Sequence, residues 1–96
     1  MSANDSEYRF SITVLVDEVP VLYCLRGLSM YAQKTGNVYK PWKRAGKEEW
    51  ERNHIVTFHF TGASYRREFV RLASELLQGK WEKVGDSDEN PLPPEA

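Results

Sequence analysis

Cysteine is nearly missing from this sequence: Cys24 is the only one, so no intrachain disulfide can form. Burial and hydrogen bonds must hold the fold, as is usual in a reducing compartment. Long apolar runs are missing too. No stretch approaches the ~20 apolar residues that a membrane span needs. The opening residues, MSANDSEYRF, are polar and acidic, without the basic start and apolar run of a signal peptide. A soluble, cytoplasmic protein is the expectation. Excess charge is also lacking: the net charge of −1 argues against bulk nucleic-acid binding.

What is present fits one small globular domain. The chain has 96 residues, 41% hydrophobic and 28% charged, which excludes disorder of the whole. A chain of this size buries roughly 60% of the surface its unfolded form exposes, so its stability is modest. Charge is segregated along the chain. Residues 26–71 hold ten basic and four acidic side chains, while the segments on either side are net acidic.

From Tyr8 to Val16 apolar and polar residues alternate, the period of a strand with one buried face. Tyr8, Phe10, Ile12, Val14 and Val16 form its inner set. Asp17 and Glu18 then suit a helix start, where acids meet free N–H groups, and Pro20 is tolerated in a first turn. Val21, Leu25, Leu28 and Ala32 recur at helical spacing with Cys24 and Tyr31 beside them, and Gly36 follows as a stop. Residues 37–42 read as a short strand, restricted to a sheet edge by Pro41. Residues 43–53 are charged and irregular, with a helical turn around Glu48–Glu51. HIVTFHF (54–60) is the second clear strand, with Val56, Phe58 and Phe60 facing inward. A second helix follows on Tyr65, Phe69, Leu72, Ala73, Leu76 and Leu77, ended by Gly79. KWEKV (80–84) reads as a last edge strand. The remainder, DSDENPLPPEA, is acidic and proline-rich with little to bury. Residues 7–85 are therefore expected to form one α+β domain, with 1–6 a frayed leader and 86–96 a disordered acidic tail.

That order, β-α-β-β-α-β, is the one a ferredoxin-like split βαβ sheet requires, with two helices on one face and the other face open. The open face would show Arg9, Ser11, Thr13, Ile55, Thr57 and His59. It has no aromatic residue, unlike the base-stacking face of RNA-recognition domains. The fold by itself implies no activity.

Few residues carry the marks of catalysis. His54 and His59 fall on opposite faces of one strand and cannot share a metal, so no metal or cofactor is expected. Cys24, among leucines in mid-helix, reads as a buried structural thiol rather than a nucleophile. Gly27 should cost its helix ~1 kcal/mol relative to alanine. Close packing on the sheet would explain it, and contact with a second subunit is the alternative.

Two basic features remain. The turn TGASYRR opens the second helix with Arg66 and Arg67, where positive charge opposes the helix dipole and invites an anion. Two solvated arginines are the plainer alternative. The stretch YKPWKRAGK interleaves Tyr39 and Trp42 with Lys40, Lys43, Arg44 and Lys47, a pattern that suits bases and phosphates or an acidic protein. The expected function is a non-enzymatic protein-interaction or regulatory module, of the inhibitor or adaptor kind found in mobile elements. Its surface would be segment 39–47 with Arg66, Arg67 and Arg71. A nucleic-acid-binding domain using the same band is the alternative. A protein partner is expected, with a homodimer through the open sheet face as one form of it.

Overall fold

Alternation in two segments builds the sheet, and two helices close one side of it. The computed structural model describes residues 7–33 and 41–91. In chain order come β1 (Phe10–Val16), α1 (Val19–Gln33), α2 (Lys47–Asn53), β2 (Ile55–Phe60), α3 (Ala63–Leu76) and β3 (Trp81–Ser87). The strands form one antiparallel sheet in the order β2-β1-β3. Ile12, Val14 and Val16 of β1 and Val56, Phe58 and Phe60 of β2 are buried. Ile12 pairs with Phe58 and Val14 with Val56, so the two apolar sets share a face. There they meet Val21, Leu22, Leu25 and Ala32 of α1 and Phe69 and Ala73 of α3. Phe69 stands between two strand aromatics, 4.9 Å from Phe58 and 5.4 Å from Phe60 between ring centroids.

The fold is α+β as expected, but the four-stranded order is not matched: among the described residues the sheet has three strands. Of the expected edge strand 37–42, residues 37–40 lie outside the described residues, and Pro41 and Trp42 belong to a turn. That turn still borders β2. The Pro41 carbonyl accepts from His59 N–H at 2.9 Å and the Arg44 carbonyl from Thr57 N–H at 3.4 Å. Proline has no N–H to give a ladder, and the chain bends away after these contacts.

The irregular segment contains a short helix. Glu48 and Glu49 lie in the first turn of α2 and Arg52 in its last, each matching the dipole. Seven residues are too few to be helical alone, so tertiary contacts must hold them. The Trp50 indole N–H donates to the Val16 carbonyl at 2.6 Å, and its ring stacks on His54 at 4.3 Å. His54 itself ends α2 in the left-handed region (φ 62°) and so precedes β2 instead of starting it.

The expected domain end falls inside a strand. β3 continues through Asp86 to Ser87, and the chain stays docked beyond it. Asn90 donates its backbone N–H to the Arg9 carbonyl at 2.9 Å and its carboxamide to Ser11 Oγ at 3.1 Å. Polar side chains dock here because the row of partners at the sheet's end is polar. Residues 92–96 lie outside the described residues. The face expected to be open is consequently part-covered: Ser11 and His59 are buried, while Thr13 and Thr57 bond each other at 2.9 Å between hydroxyls.

Candidate functional site

The residues of the expected basic surface have different surroundings. Tyr39 and Lys40 lie outside the described residues. Trp42 is half-buried and covered by Arg26, whose guanidinium lies 3.8 Å from the ring centroid. Lys43, Arg44 and Lys47 are exposed along the outer edge of β2 and the start of α2. The second-helix arginines lie elsewhere and do other things. Arg66 is only 17% exposed and spans the junction of β1 and β3. It donates to the Ser11 carbonyl at 3.3 Å and the Ser87 carbonyl at 3.0 Å, and pairs with Asp88 at 2.7 Å. An anion does stand at this helix start, the chain's own Asp88, so Arg66 is not the solvated arginine of the plainer alternative. Arg71 pairs along the helix with Glu68 and, at 3.1 Å, with Glu75. Those carboxylates push its pKa up. Arg67 is exposed.

Helix α1 exposes Cys24 and Tyr31, expected beside its buried stripe. Val21, Leu25 and Ala32 are buried as the spacing predicts and Leu28 is half-buried, but the buried side is completed by Leu22, Ser29 and Gln33, a partial roll of the helix. Two polar residues face inward because each has a partner. Ser29 donates to the Arg26 carbonyl at 2.6 Å. Gln33 donates to Thr61 Oγ1 at 2.7 Å and accepts from Thr61 N–H at 3.2 Å. This rotation brings Tyr23 (47% exposed), Met30 (43%) and Tyr31 (66%) to the surface. Cys24 is exposed, not buried. Gly27 lies on the same side, and a Cβ built there meets no atom within 4 Å. Close packing on the sheet therefore does not explain the glycine. The signal was in the sequence: the fifteen residues of α1 hold one charge, Arg26, whereas a solvated helix face normally carries several.

A second feature lies on the opposite face of the sheet. A cleft of about 480 Å³ is floored by Ile55, Thr57 and His59 and walled by Arg44, by Glu49, Arg52 and Asn53 of α2, and by Asn90 and Pro91. His59 is 3% exposed. Burial and, secondarily, the nearby Arg44 charge lower its pKa from 6.5 to about 4, so the ring is neutral near pH 7. Its Nδ1 is buried and has no hydrogen-bond partner among the described residues. The sequence reading placed His59 on this face but left it open to solvent. Part of the cover, Asn90 and Pro91, comes from far along the chain.

Among the described residues no group of three or more His, Cys, Asp and Glu is placed to hold a metal ion. No helix among them is long and apolar enough to cross a membrane. Comparison with known proteins gives no match: no family model fits the chain, and no curated protein or solved structure is significantly similar to it.

Proposed function

We propose that this chain is a non-enzymatic, cytoplasmic protein-interaction module that pairs with a second copy of itself through the outer face of α1. The observation that carries this is the run of Tyr23, Cys24, Gly27, Met30 and Tyr31 on the exposed side of one helix. These five residues are uncharged and the neighbouring Arg26 is stacked on the Tyr23 and Trp42 rings, so the face favours no charged partner and is compatible with its own copy. Gly27 at its centre lets two helix backbones approach closely, with aromatic and methionine side chains on either side. Stable interfaces bury roughly 800 Å² per partner, more than one short helix face supplies. The pairing is therefore weak and concentration-dependent. A dimer through the open sheet face has less support, because the Arg44 turn and Asn90 occupy part of that face. Nucleic-acid binding also has less support: Arg66 and Arg71 are engaged within the chain. The turn bonded to β2 supports reading the sheet as a ferredoxin-like one whose outer strand is reduced to a turn.

Sedimentation across a concentration series tests the pairing. The wild-type chain should move from monomer toward dimer, and Tyr31→Glu should hold it monomeric without loss of helix signal. A short bismaleimide should join Cys24 to Cys24 in the wild type and fail in Tyr31→Glu. A wild-type chain that stays monomeric at the highest concentration would sink the proposal.

A further inference from the structure

We infer that the cleft between β2, α2 and Asn90–Pro91 binds a small ligand bearing an oxyanion, phosphate or carboxylate, between the guanidinium groups of Arg44 and Arg52. This site is on the other side of the sheet from α1, and the inference does not depend on the pairing proposed above. At about 480 Å³ the cleft has the size of a small-molecule site. Residues 44–59 supply most of its walls, with Arg44 from the turn beside β2 and Arg52 and Asn53 from α2, and Asn90 and Pro91 from the segment after β3 close it.

The charges lining it are unbalanced. Arg9, Arg66 and Arg71 each have a carboxylate within ion-pair distance. Arg44 and Arg52 have none among the described residues, although both line one concavity. Among the described residues Glu49 is the only carboxylate in the lining, and its Oε2 is turned toward Gly46, 2.9 Å from where a Cβ would stand there. Guanidinium groups match carboxylate and phosphate oxygens in a fork geometry, so an oxyanion is the chemical class that two of them select. Asn53 and Asn90 add polar groups for the rest of the ligand.

The floor gives a second, independent sign. His59 is buried with Nδ1 unpaired, and a buried polar atom without a partner calls for an explanation. A site that takes up an anion supplies one. The ring is held neutral by burial and by Arg44, with Arg52 and Glu49 the other charged groups facing the cleft. An anion seated between the two arginines offsets the Arg44 charge and draws the ring toward its protonated, donor form. Bound ligand and His59 protonation are then reciprocally coupled, and the anion binds more tightly as pH falls toward the ring's pKa.

The test is a nuclear magnetic resonance titration of the whole chain at fixed ionic strength, with inorganic phosphate in one arm and succinate in the other. Backbone shifts should gather on Arg44, Arg52, Asn53, Thr57 and His59, and the His59 ring should titrate higher with the anion than without it. The arm with the tighter curve assigns phosphate or carboxylate. The double variant Arg44→Gln, Arg52→Gln should weaken binding at least roughly tenfold. Both side chains are exposed, so the fold should survive, and unchanged dispersion of the spectrum checks this. Arg67→Gln, at an exposed arginine outside the cleft, should leave binding unchanged. Affinity weaker than about 10 mM for both anions would overturn the inference. So would shifts spread evenly over basic residues including Arg67, or equal affinity in the double variant. Tight binding of a single-stranded oligonucleotide, with shifts reaching Trp42 and Lys47, would overturn it in favour of a nucleic-acid surface.

Discussion

Helices α1 and α3 lie against the same face of the sheet and both contribute to its core, yet their outer faces differ in kind. The outer face of α3 carries Arg67, Arg71, Ser74 and Glu75, with Arg71 paired to Glu68 and Glu75. Such a surface is made for water. The outer face of α1 carries Tyr23, Cys24, Gly27, Met30 and Tyr31, and no charge is needed there to fold the domain. Core packing constrains only the inward side of each helix. What the outward side carries is left to solubility or to binding, and in α1 solubility alone would not favour two exposed tyrosines and a methionine. The same contrast holds for the two faces of the sheet, one a dry aromatic core and the other a polar surface with a charged cleft.

The largest effect should come from the inward side. Phe69→Ala removes the ring between Phe58 and Phe60 and should cost roughly 3–5 kcal/mol in chemical denaturation, while Tyr31→Ala on the outer face of α1 should change stability by less than about 0.5 kcal/mol. Similar losses at both positions would show that α1's outer face is needed for folding and would end its reading as a docking surface.

The polar side of the sheet has its own signature, in pH. Folded His59 titrates at about 4, below its ordinary 6.5. Between these values the unfolded chain binds more protons than the folded one, so acid favours unfolding. This contribution is complete above pH 6.5 and is lost as pH falls to about 4. With allowance for solvent at the mouth of the cleft it amounts to roughly 2 kcal/mol. Denaturation curves measured from pH 7 to 4 should show this slope, and His59→Leu should flatten it. A slope that survives the substitution must come from other groups.

Arg66→Ala should cost about 1.5–3 kcal/mol, because it strips partners from the Ser11 and Ser87 carbonyls and from Asp88. Arg67→Ala, next to it but exposed, should be silent within about 0.5 kcal/mol. Equal effects would mean that Arg66 does not tie α3 to the ends of β1 and β3. Gly27→Ala should act the other way. The added methyl meets nothing, and alanine favours the helix, so thermal and chemical stability should rise by about 0.5–1 kcal/mol while pairing between copies weakens. A loss of stability would show that the glycine serves the domain's own packing. The smallest effect is expected at Arg71, whose exposed pairs with Glu68 and Glu75 should leave Arg71→Ala indistinguishable from wild type by denaturation.

Facing within each strand was legible along the chain. The inner set of β1 and β2 could be read from alternation because successive side chains must point to opposite faces, whatever lies beyond. Helix positions were legible for a similar reason. The roll of α1 was legible only in part: Val21, Leu25 and Ala32 are buried where the spacing puts them, and Cys24 and Tyr31 beside them are exposed. Periodicity defines an apolar stripe only when the other residues are polar, and α1 is apolar nearly all round. Ser29 and Gln33 turned inward because Arg26 and Thr61 supply their hydrogen bonds, and the Thr61 partner is 28 residues away. The candidate sites suffered in proportion. Arg66 in a first turn opposes the dipole and so invites an anion, but the chain's own Asp88, with two carbonyls, takes that place, and Asp88 lies too far along the chain to be read beside it. Most of the lining of the cleft lies in residues 44–59, but its closure could not be read, since Asn90 and Pro91 come from far along the chain.

The sequence by itself determined the two alternating strands, their buried faces, two of the three helices, the lack of any intrachain disulfide and the segregation of charge. These follow from short-range geometry, the strand's period of two and the helix's period of 3.6, and from composition. Tertiary structure alone decided that Ser29 and Gln33 of α1 turn inward, that the turn at 41–44 borders β2 without becoming a strand, and that the chain stays ordered past Ser87. It also decided that Asn90 reaches back to Ser11, 79 residues earlier, to wall a cleft over His59. Each of these depends on a polar group finding its partner across the fold. Such partners are set by the path of the chain in space, which no local pattern encodes.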